Sequence, residues 1–450
     1  KLKMMKIKTI SRTEEDFCRK STLDISKVHR NRDPALHPFD RSREYAKAVV
    51  ATKLDKIFAK PFVGAMDGHT DGVYCMSTFR NRVVPLISGA CDGEIRVWDL
   101  SSRTCSWSII GHAGFVRGVA PDALGRTFFS CGDDKLIKQW ALQPSSNSSS
   151  SVEPVNMITS PTSLTGIDHH WVDSQFATSG DSVCVWENNR SSPLHTYKWG
   201  CDSIISVKFN PAEACLLAST GSDRGVCLYD LRSSAPMRKF VLPMNSNRIA
   251  WNPREPMNFI LANEDHNVYS FDMRKLDKAL MVHKDHTSAV MDVAFSPTGR
   301  EFVSGSYDRT LRIYNASSGR SREMYHTKRM QRIFSVEFST DSRYVISGSD
   351  DTNIRLWKAQ AADALGIDAG REERKKLYNG AVKKRFSHMP EIRRIKNNHQ
   401  TPKSIKKARA IAHIQLMSEH RKQDNRKRHS NAEATAMEPE RKRVVVREFK

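Results

Sequence analysis

The chain has 450 residues, 39% of them hydrophobic, and carries 72 Lys and Arg against 50 Asp and Glu, a formal net charge of +22. It contains no run of 18 or more apolar residues and no secretory apolar segment, so neither membrane spanning nor export is expected. Nine Cys are scattered with no Cys-x-x-Cys pair, six of them (Cys75, Cys91, Cys105, Cys131, Cys184 and Cys227) in or next to predicted strands, which fits free thiols in a reducing compartment.

Lys1-Leu2-Lys3-Met4 precede a second Met, and Met5-Lys6-Ile7-Lys8 reads as a native start. Residues 1–60 form a basic extension with 16 basic and 8 acidic side chains. Pro61-Phe62-Val63-Gly64-Ala65-Met66 then reads as a spare strand. From there one pattern closes seven times, at Trp98, Trp140, Trp186, Tyr229, Phe271, Tyr314 and Trp357, at intervals of 42, 46, 43, 42, 43 and 43. Six residues before the aromatic stands Asp92, Asp134, Asp223, Asp265, Asp308 or Asp351; in the third repeat Asp181 stands five before Trp186. Between Asp and aromatic the residues alternate with period two, as in Ile95-Arg96-Val97-Trp98, which marks a half-buried strand entered from a tight turn. A second strand precedes the turn, as in Leu86-Ile87-Ser88-Gly89 and Val345-Ile346-Ser347-Gly348. The fullest repeats add His69, His112 or His286 some 28 or 29 residues before the aromatic. The Ser-rich stretch Ser145–Ser151 falls where the interval stretches to 46, so it reads as an inter-strand loop.

Residues 61–357 hold 31 basic and 31 acidic side chains, so the repeat array is neutral. The excess lies in residues 1–60, at +8, and in residues 358–450, at +14. These extensions are the electrostatic partners for something anionic. The tail is basic in clusters, including Lys383-Lys384-Arg385, Arg393-Arg394 and Lys406-Lys407. Leu377, Ala381 and Phe386 mark one apolar stripe. Thr401-Pro402 reads as an N-cap and first helical position, opening a helix through Ile405, Ala408, Ile411, Ala412 and Gln415. A helix of this kind docks on a protein by its apolar stripe while its basic face meets phosphate, in a sequence-tolerant and salt-sensitive manner. Sparse aromatics in the tail speak against base stacking. Arg320 through Arg332 reads as a basic loop, with Lys328, Arg329 and Arg332 as candidate RNA contacts. His169-His170 has no second ligand cluster and reads as structural. No phosphate-cradling Gly loop and no nucleophile with a base appears, so neither catalysis nor a cofactor is expected.

A period of 40 to 45 with Gly-His and Trp-Asp resembles the WD40 repeat, whose units are propeller blades. The resemblance implies an all-β seven-bladed WD40 propeller over 61–358, with an N-terminal extension over 1–60 and a basic helical extension over 359–450. It also implies one hydrogen-bonded set per full blade: His69, Ser88, Asp92 and Trp98; His112, Ser130, Asp134 and Trp140; His286, Ser304 and Asp308. Gly200, Leu242 and Arg329 take the His position in the fourth, fifth and seventh repeats, so those blades are expected to rely more on apolar packing. Because no fourth strand follows Trp357, the spare strand at Pro61–Met66 is expected to complete the last blade and to leave no long sheet edge exposed.

Asn31-Arg32-Asp33-Pro34-Ala35-Leu36-His37-Pro38-Phe39, Ala59-Lys60-Pro61-Phe62, Gly166-Ile167-Asp168-His169-His170-Trp171, Tyr325-His326-Thr327-Lys328-Arg329-Met330-Gln331 and Asn353–Lys358 lie outside the generic repeat. Together they are similar to the Sof-type nucleolar WD-repeat proteins, over about Met5 to His429. That resemblance implies a nucleolar scaffold of the small-subunit processome. Its partners would be processome proteins, a box C/D small nucleolar RNP and pre-ribosomal RNA, and the chain would be a monomer within a large assembly. It also implies an alternative role as substrate receptor of a cullin-4 ubiquitin ligase. Such receptors carry Asp, an aromatic six residues on, then Asp-x-Arg. This chain has the motif twice, ending in Asp230–Arg232 and Asp272–Arg274, with Tyr229 and Phe271 in place of Trp. These two ends are the candidate adaptor contacts.

Overall fold

The strand Phe62–Met66 lies antiparallel to Ile354–Lys358, with Phe62 opposite Trp357 and Met66 opposite Ile354, so the two ends of the repeat array share one sheet. The computed structural model describes residues 37–142, 153–199, 203–233, 235–366, 369–430 and 439–449. Met5–Lys8, Asn31–Leu36, Ser145–Ser151 and Gly200 lie outside the described residues. Seven antiparallel sheets occur among the described residues, six of four strands and one of five. The first blade is typical: Val73–Thr78 is innermost, followed outward by Pro85–Ala90, Glu94–Asp99 and Thr104–Ile110. Each blade is therefore a meander, and the inner strands of successive blades surround a central channel. In the seventh blade Phe62–Met66 takes the outermost place, so the ring closes non-covalently between its N- and C-terminal strands. The chain is a seven-bladed WD40 β-propeller with helical extensions.

The regular spacing of Asp to aromatic has a local cause. The turn Asp accepts the backbone N–H two residues on, Asp92 from Glu94 at 3.0 Å, Asp223 from Gly225 at 3.0 Å and Asp308 from Thr310 at 2.9 Å. The residue between is left-handed in six of the seven turns, from Gly93 (φ 89°) and Lys135 (φ 64°) to Arg309 (φ 62°) and Thr352 (φ 68°); the shortened third turn, with Ser182, is the exception. Asp pays part of this strain by fixing the turn, and the strand that follows carries the aromatic inward. Trp98, Trp140, Trp186 and Trp357 are at most 2% exposed. They fill the seams between blades: Trp140 packs with Ile87, Ile95 and Val116, and Trp98 with Met66, Val73 and Ile354. Burial of one such side chain contributes about 1.5–3 kcal/mol.

Polar stitches cross the same seams. Asp168 accepts the amide of Phe209 in the next blade at 2.8 Å, and Asp292 accepts that of Val336 at 2.9 Å. Asn81, Asn210 and Asn252 each donate a side-chain amide to a carbonyl one blade on, at Ala123, Pro256 and Gly299. The His169 ring contacts Asn188 and the His170 carbonyl, and the His170 ring contacts the Ala214 carbonyl and the amides of Val172 and Asp173. Both rings thus serve the fold.

The tail expected over 359–450 is divided between two compact units. Residues Ala361–Asn398 pack with residues 37–60, where the helix α1 (Asp40–Ile57) was not anticipated. In this unit α2 (Gly370–Arg385) and α3 (Pro390–Lys396) bury Val382, Phe386 and Ile392 against Ala48 and Tyr45. Val382 on α2 and Phe386 just past its end are buried, whereas Leu377 is 67% exposed and Ala381 is exposed, so of the expected stripe only Phe386 faces inward. Residues His399–Lys450 belong with the propeller. The helix α4 (Lys403–His429) starts one residue later than expected and buries only Ile405. Among the described residues no helix is long and apolar enough to cross a membrane.

Candidate partner-binding faces

In a meander blade the connections alternate between two faces. One face carries the tight turns between second and third strands and the links between blades; here it is called the turn face. The other carries the third-to-fourth-strand connections, and there Asp230–Arg232 and Asp272–Arg274 stand in adjacent blades. Asp230 accepts the Arg232 N–H at 3.0 Å and holds its guanidinium at 2.9 Å, and Asp272 holds Arg274 in the same way at 3.0 and 2.8 Å. The side-chain hydrogen bond from Arg232 holds the Asp230 carboxyl below its usual range, and Arg274 does so for Asp272. Both guanidinium groups remain mostly exposed, at 75% and 69%. Between them Arg238 of the fourth blade donates to the Arg274 carbonyl at 3.3 Å, across a hollow lined by Leu228, Met237 and Met273. The arrangement presents two pre-oriented cations with apolar side chains between, a surface suited to a protein partner carrying carboxylates.

The blade sets occupy the turn face. Trp98 Nε1–H can only donate, so Ser88 Oγ, 2.8 Å away, accepts it and turns its own proton to His69 Nε2 at 2.7 Å. His69 Nδ1–H is then left to donate, and its acceptor is Glu94 at 3.1 Å, not the expected Asp92. Asp92 is taken by Thr70 and by the Glu94 amide, while Arg96 holds Glu94 at 2.7 Å within reach of the imidazole. In the second blade His112 does meet Asp134, at 2.9 Å, with Ser130 and Trp140 completing the set. In the sixth His286 meets Asp308 at 2.9 Å and Ser304 at 2.6 Å. Burial pushes all three imidazoles below their ordinary value, which keeps them neutral.

The fourth, fifth and seventh blades do not simply fall back on apolar packing. Lys239 reaches Asp223 at 2.5 Å, Tyr269 donates to Asp265, and Arg355 pairs with Asp351, with one N–O contact at 3.0 Å. Each turn carboxylate has found another partner. Leu242 is fully buried in an apolar cluster, as its place in the sequence suggested.

The stretch Arg320–Arg332 is not one loop. Ser321–Tyr325 is a strand, so Arg320 lies on one face and Lys328, Arg329 and Arg332 on the other. Arg322 is engaged with Glu301 at 2.9 Å. On the turn face His326 Nε2 meets the Gln400 carbonyl at 2.8 Å, and Arg409 of α4 donates to the Asp285 carbonyl at 3.0 Å. These contacts seat α4 across the links of the sixth blade. Lys406 and Lys407 of α4 are exposed, as are Lys328 and Arg329 of the link, while Arg332 lies over Tyr307 at 5.1 Å. In the other unit Lys383 pairs with Asp55 and Arg385 with Glu44, so these two cations are partly spent internally; Lys384, Arg393 and Arg394 are exposed.

Sequence reasoning missed the last anchor. Glu440 pairs with Lys284 at 2.5 Å, Ala279 donates to the Arg441 carbonyl, and Val444 is 4% exposed among Phe240, Leu242, Trp251 and Leu276. Arg447–Phe449 then adds a fifth strand to the edge of Pro236–Val241. The apolar run Val444-Val445-Val446 was the available signal.

Five stretches match the WD domain, G-beta repeat: 60–99, 103–141, 191–230, 277–315 and 323–358. Residues 359–445 match the Sof1-like domain. The chain is 46% identical over 444 residues to DDB1- and CUL4-associated factor 13 of Xenopus laevis, covering 98% of this chain and 99% of that protein. It is 47% identical over 442 residues to the Homo sapiens protein of the same name, with the same coverage. It is 44% identical over 446 residues to Protein SOF1 of Saccharomyces cerevisiae, covering 94% of this chain and 91% of that protein. The seven-bladed propeller, the Sof1-like segment that follows it and these full-length similarities place the chain in the family of Sof1-like WD-repeat proteins.

Proposed function

We propose that the protein is a non-catalytic scaffold of the nucleolar small-subunit processome, in which the propeller grips proteins and the basic extensions run along pre-ribosomal RNA near a box C/D small nucleolar RNP. The observation that carries this reading is the placement of α4. A neutral ring holds a helix on which Lys406 and Lys407 are exposed, and Lys328 and Arg329 are exposed on the link that meets the helix's lead-in through His326 and Gln400, a set of cations suited to phosphate rather than to base edges. The channel carboxylates Asp168 and Asp292 support a non-catalytic role, since each is engaged by backbone amides. Crosslinking in cells followed by sequencing of bound RNA tests the reading. Recovery of small nucleolar RNA and pre-ribosomal leader through Lys406 and Lys407 supports it, and recovery of neither overturns it.

A second reading, substrate receptor of a cullin-4 ligase, is favoured by the paired Asp-x-Arg ends in adjacent blades and by the name of the animal relatives, DDB1- and CUL4-associated factor 13. The two readings use opposite faces of one ring, so both can hold.

A further inference from the structure

The residue two before the blade aromatic is a cation in four blades, Arg96, Lys138, Arg312 and Arg355. Arg96 holds Glu94 at 2.7 Å, Lys138 donates to the Gly111 carbonyl, and Arg355 pairs with Asp351. In the sixth blade His286 has taken the turn carboxylate Asp308, so Arg312 goes without it. Among the described residues its one hydrogen bond runs from Nη1 to Ser321 Oγ at 3.5 Å, and Nε and Nη2 have no acceptor. The side chain is 1% exposed, so these donors do not reach solvent.

Tyr314 repeats the problem two residues on. Trp98, Trp140 and Trp357 give their N–H to a strand Ser, whereas the fully buried Tyr314 hydroxyl has no partner among the described residues. Residues two apart on a strand project from the same side of the sheet, so Arg312 and Tyr314 share one space. Arg409 of α4 borders it, donating to the Asp285 carbonyl at 3.0 Å. Burial, and then Arg312, lower the Arg409 pKa, as two like charges brought together should.

The carboxylates that face this space, Asp285 and Asp308, are spent. Asp308 takes His286, the Thr287 amide and both Thr310 donors. Asp285 gives one oxygen to the Ser321 amide and hydroxyl and holds Arg409 with the other at 3.5 Å. What remains is a set of donors: two guanidinium nitrogens and a phenol. A buried water would bring protons of its own with no acceptor left for them, whereas an anion only accepts.

We propose that the space bounded by Arg312, Tyr314 and Arg409 is a binding site for a monatomic anion of chloride size, closed by α4. Its enclosure excludes phosphate, and the ion ties the helix to the sixth blade. Ligand bound to the docked form stabilises that form, so the seat of α4 is strengthened by halide.

The test compares melting of the full-length chain in sodium chloride and in sodium gluconate, an anion too large to enter, at equal ionic strength. Melting should be higher in chloride and saturate with its concentration, and hydrogen exchange at the Arg409 amide should slow in parallel. Arg312→Met should raise the half-saturating chloride concentration about tenfold or more. Tyr314→Phe keeps the ring stacked on Phe302 at 5.1 Å and should weaken the effect too, so it carries the test if Arg312→Met fails to fold. Arg190→Met, at an exposed turn of the third blade, should leave it unchanged. Anomalous scattering from bromide in crystals of the parent should place the ion between Arg312 and Arg409. Equal melting in the two salts, a chloride effect that survives both Arg312→Met and Tyr314→Phe, or bromide peaks only elsewhere would each overturn the proposal.

Discussion

Asp292, on the inner strand of the sixth blade, accepts the Val336 amide of the seventh at 2.9 Å, which joins two strands that belong to different sheets. Its other oxygen takes the Val293 amide, so the carboxylate is fully engaged at a seam. Asp292→Ala leaves the Val336 N–H without its acceptor and should cost about 1–3 kcal/mol. Asp292→Asn keeps an acceptor and should cost less. Urea midpoints of the three proteins check this; equal losses for Ala and Asn would show that the seam bond contributes nothing.

The turn carboxylates should not be equivalent. Asp308 receives His286, the Thr287 amide and both Thr310 donors. Burial alone would raise its pKa, but the His286 ring, Arg312 and the Thr310 hydroxyl hold it well below the ordinary carboxylate range. Asp92 bonds only Thr70 and its own turn, since Glu94 has taken His69. Asp308→Ala should cost about 1–3 kcal/mol and Asp92→Ala clearly less. Glu94→Ala, and not Asp92→Ala, should change the His69 imidazole in nitrogen NMR.

The fold was legible because Asp, a left-handed residue and a buried aromatic recur at fixed distance, and one backbone turn dictates all three. What the sequence hid was the choice among chemically equivalent partners. Glu94 stands two residues from Asp92 and competes for the same imidazole, and Lys239, Tyr269 and Arg355 reach turn carboxylates from strand positions that no spacing rule marks. The tail's anchors were hidden for another reason. Val444 and Arg447–Phe449 are too short a stretch to show periodicity, and their meaning depends on an open strand edge two hundred positions earlier in the chain, at roughly Val241. The Asp-x-Arg ends were visible as a motif, and their geometry follows from the same Asx turn that shapes the blade.

Glu337 points to a pH signature. Burial first, then Asp292, push its carboxyl up to about 7 against the cations Lys208 and Arg80. A carboxyl whose folded pKa exceeds its unfolded value binds more protons when folded. Its contribution is fully present below the unfolded value, 4.5, and is lost as pH rises through about 7. Glu337→Gln removes that loss, so the variant should gain stability over the parent at pH 8 and not at pH 4.5. A difference independent of pH would mean that Glu337 titrates normally.

The C-terminal strand should brace the ring. Val444→Asp places a charge among Phe240, Leu242 and Trp251, and removal of 439–450 also frees the edge of Pro236–Val241. Losing the valine's burial alone should cost about 1.5–3 kcal/mol. Hydrogen exchange gives the sharper readout: the Val446 amide, bonded to the Val241 carbonyl at 2.9 Å, should lose protection in Val444→Asp, while amides of the second blade keep theirs. Unchanged protection at Val446 would show that the strand pairs without its valine anchor.

Arg232 and Arg274 decide between the two roles, because the face that carries them is opposite to α4. Reversing both to Glu sets a carboxylate beside Asp230 and Asp272 and replaces two donors by like charge. Both side chains are mostly exposed, so the core should be untouched and the melting temperature should move little. Binding of the cullin-4 adaptor should fall at least about a hundredfold, since each lost charge-assisted contact is worth roughly 1.5–3 kcal/mol. The same variant, expressed in cells depleted of the parent, should restore small-subunit RNA maturation if scaffolding runs through the turn face and the basic extensions. Adaptor pull-down and precursor RNA blots from the same cells read both outcomes. Retained adaptor binding would reject the paired motif as the contact. Lost binding with failed RNA rescue, in a folded protein, would mean that the two faces act as one.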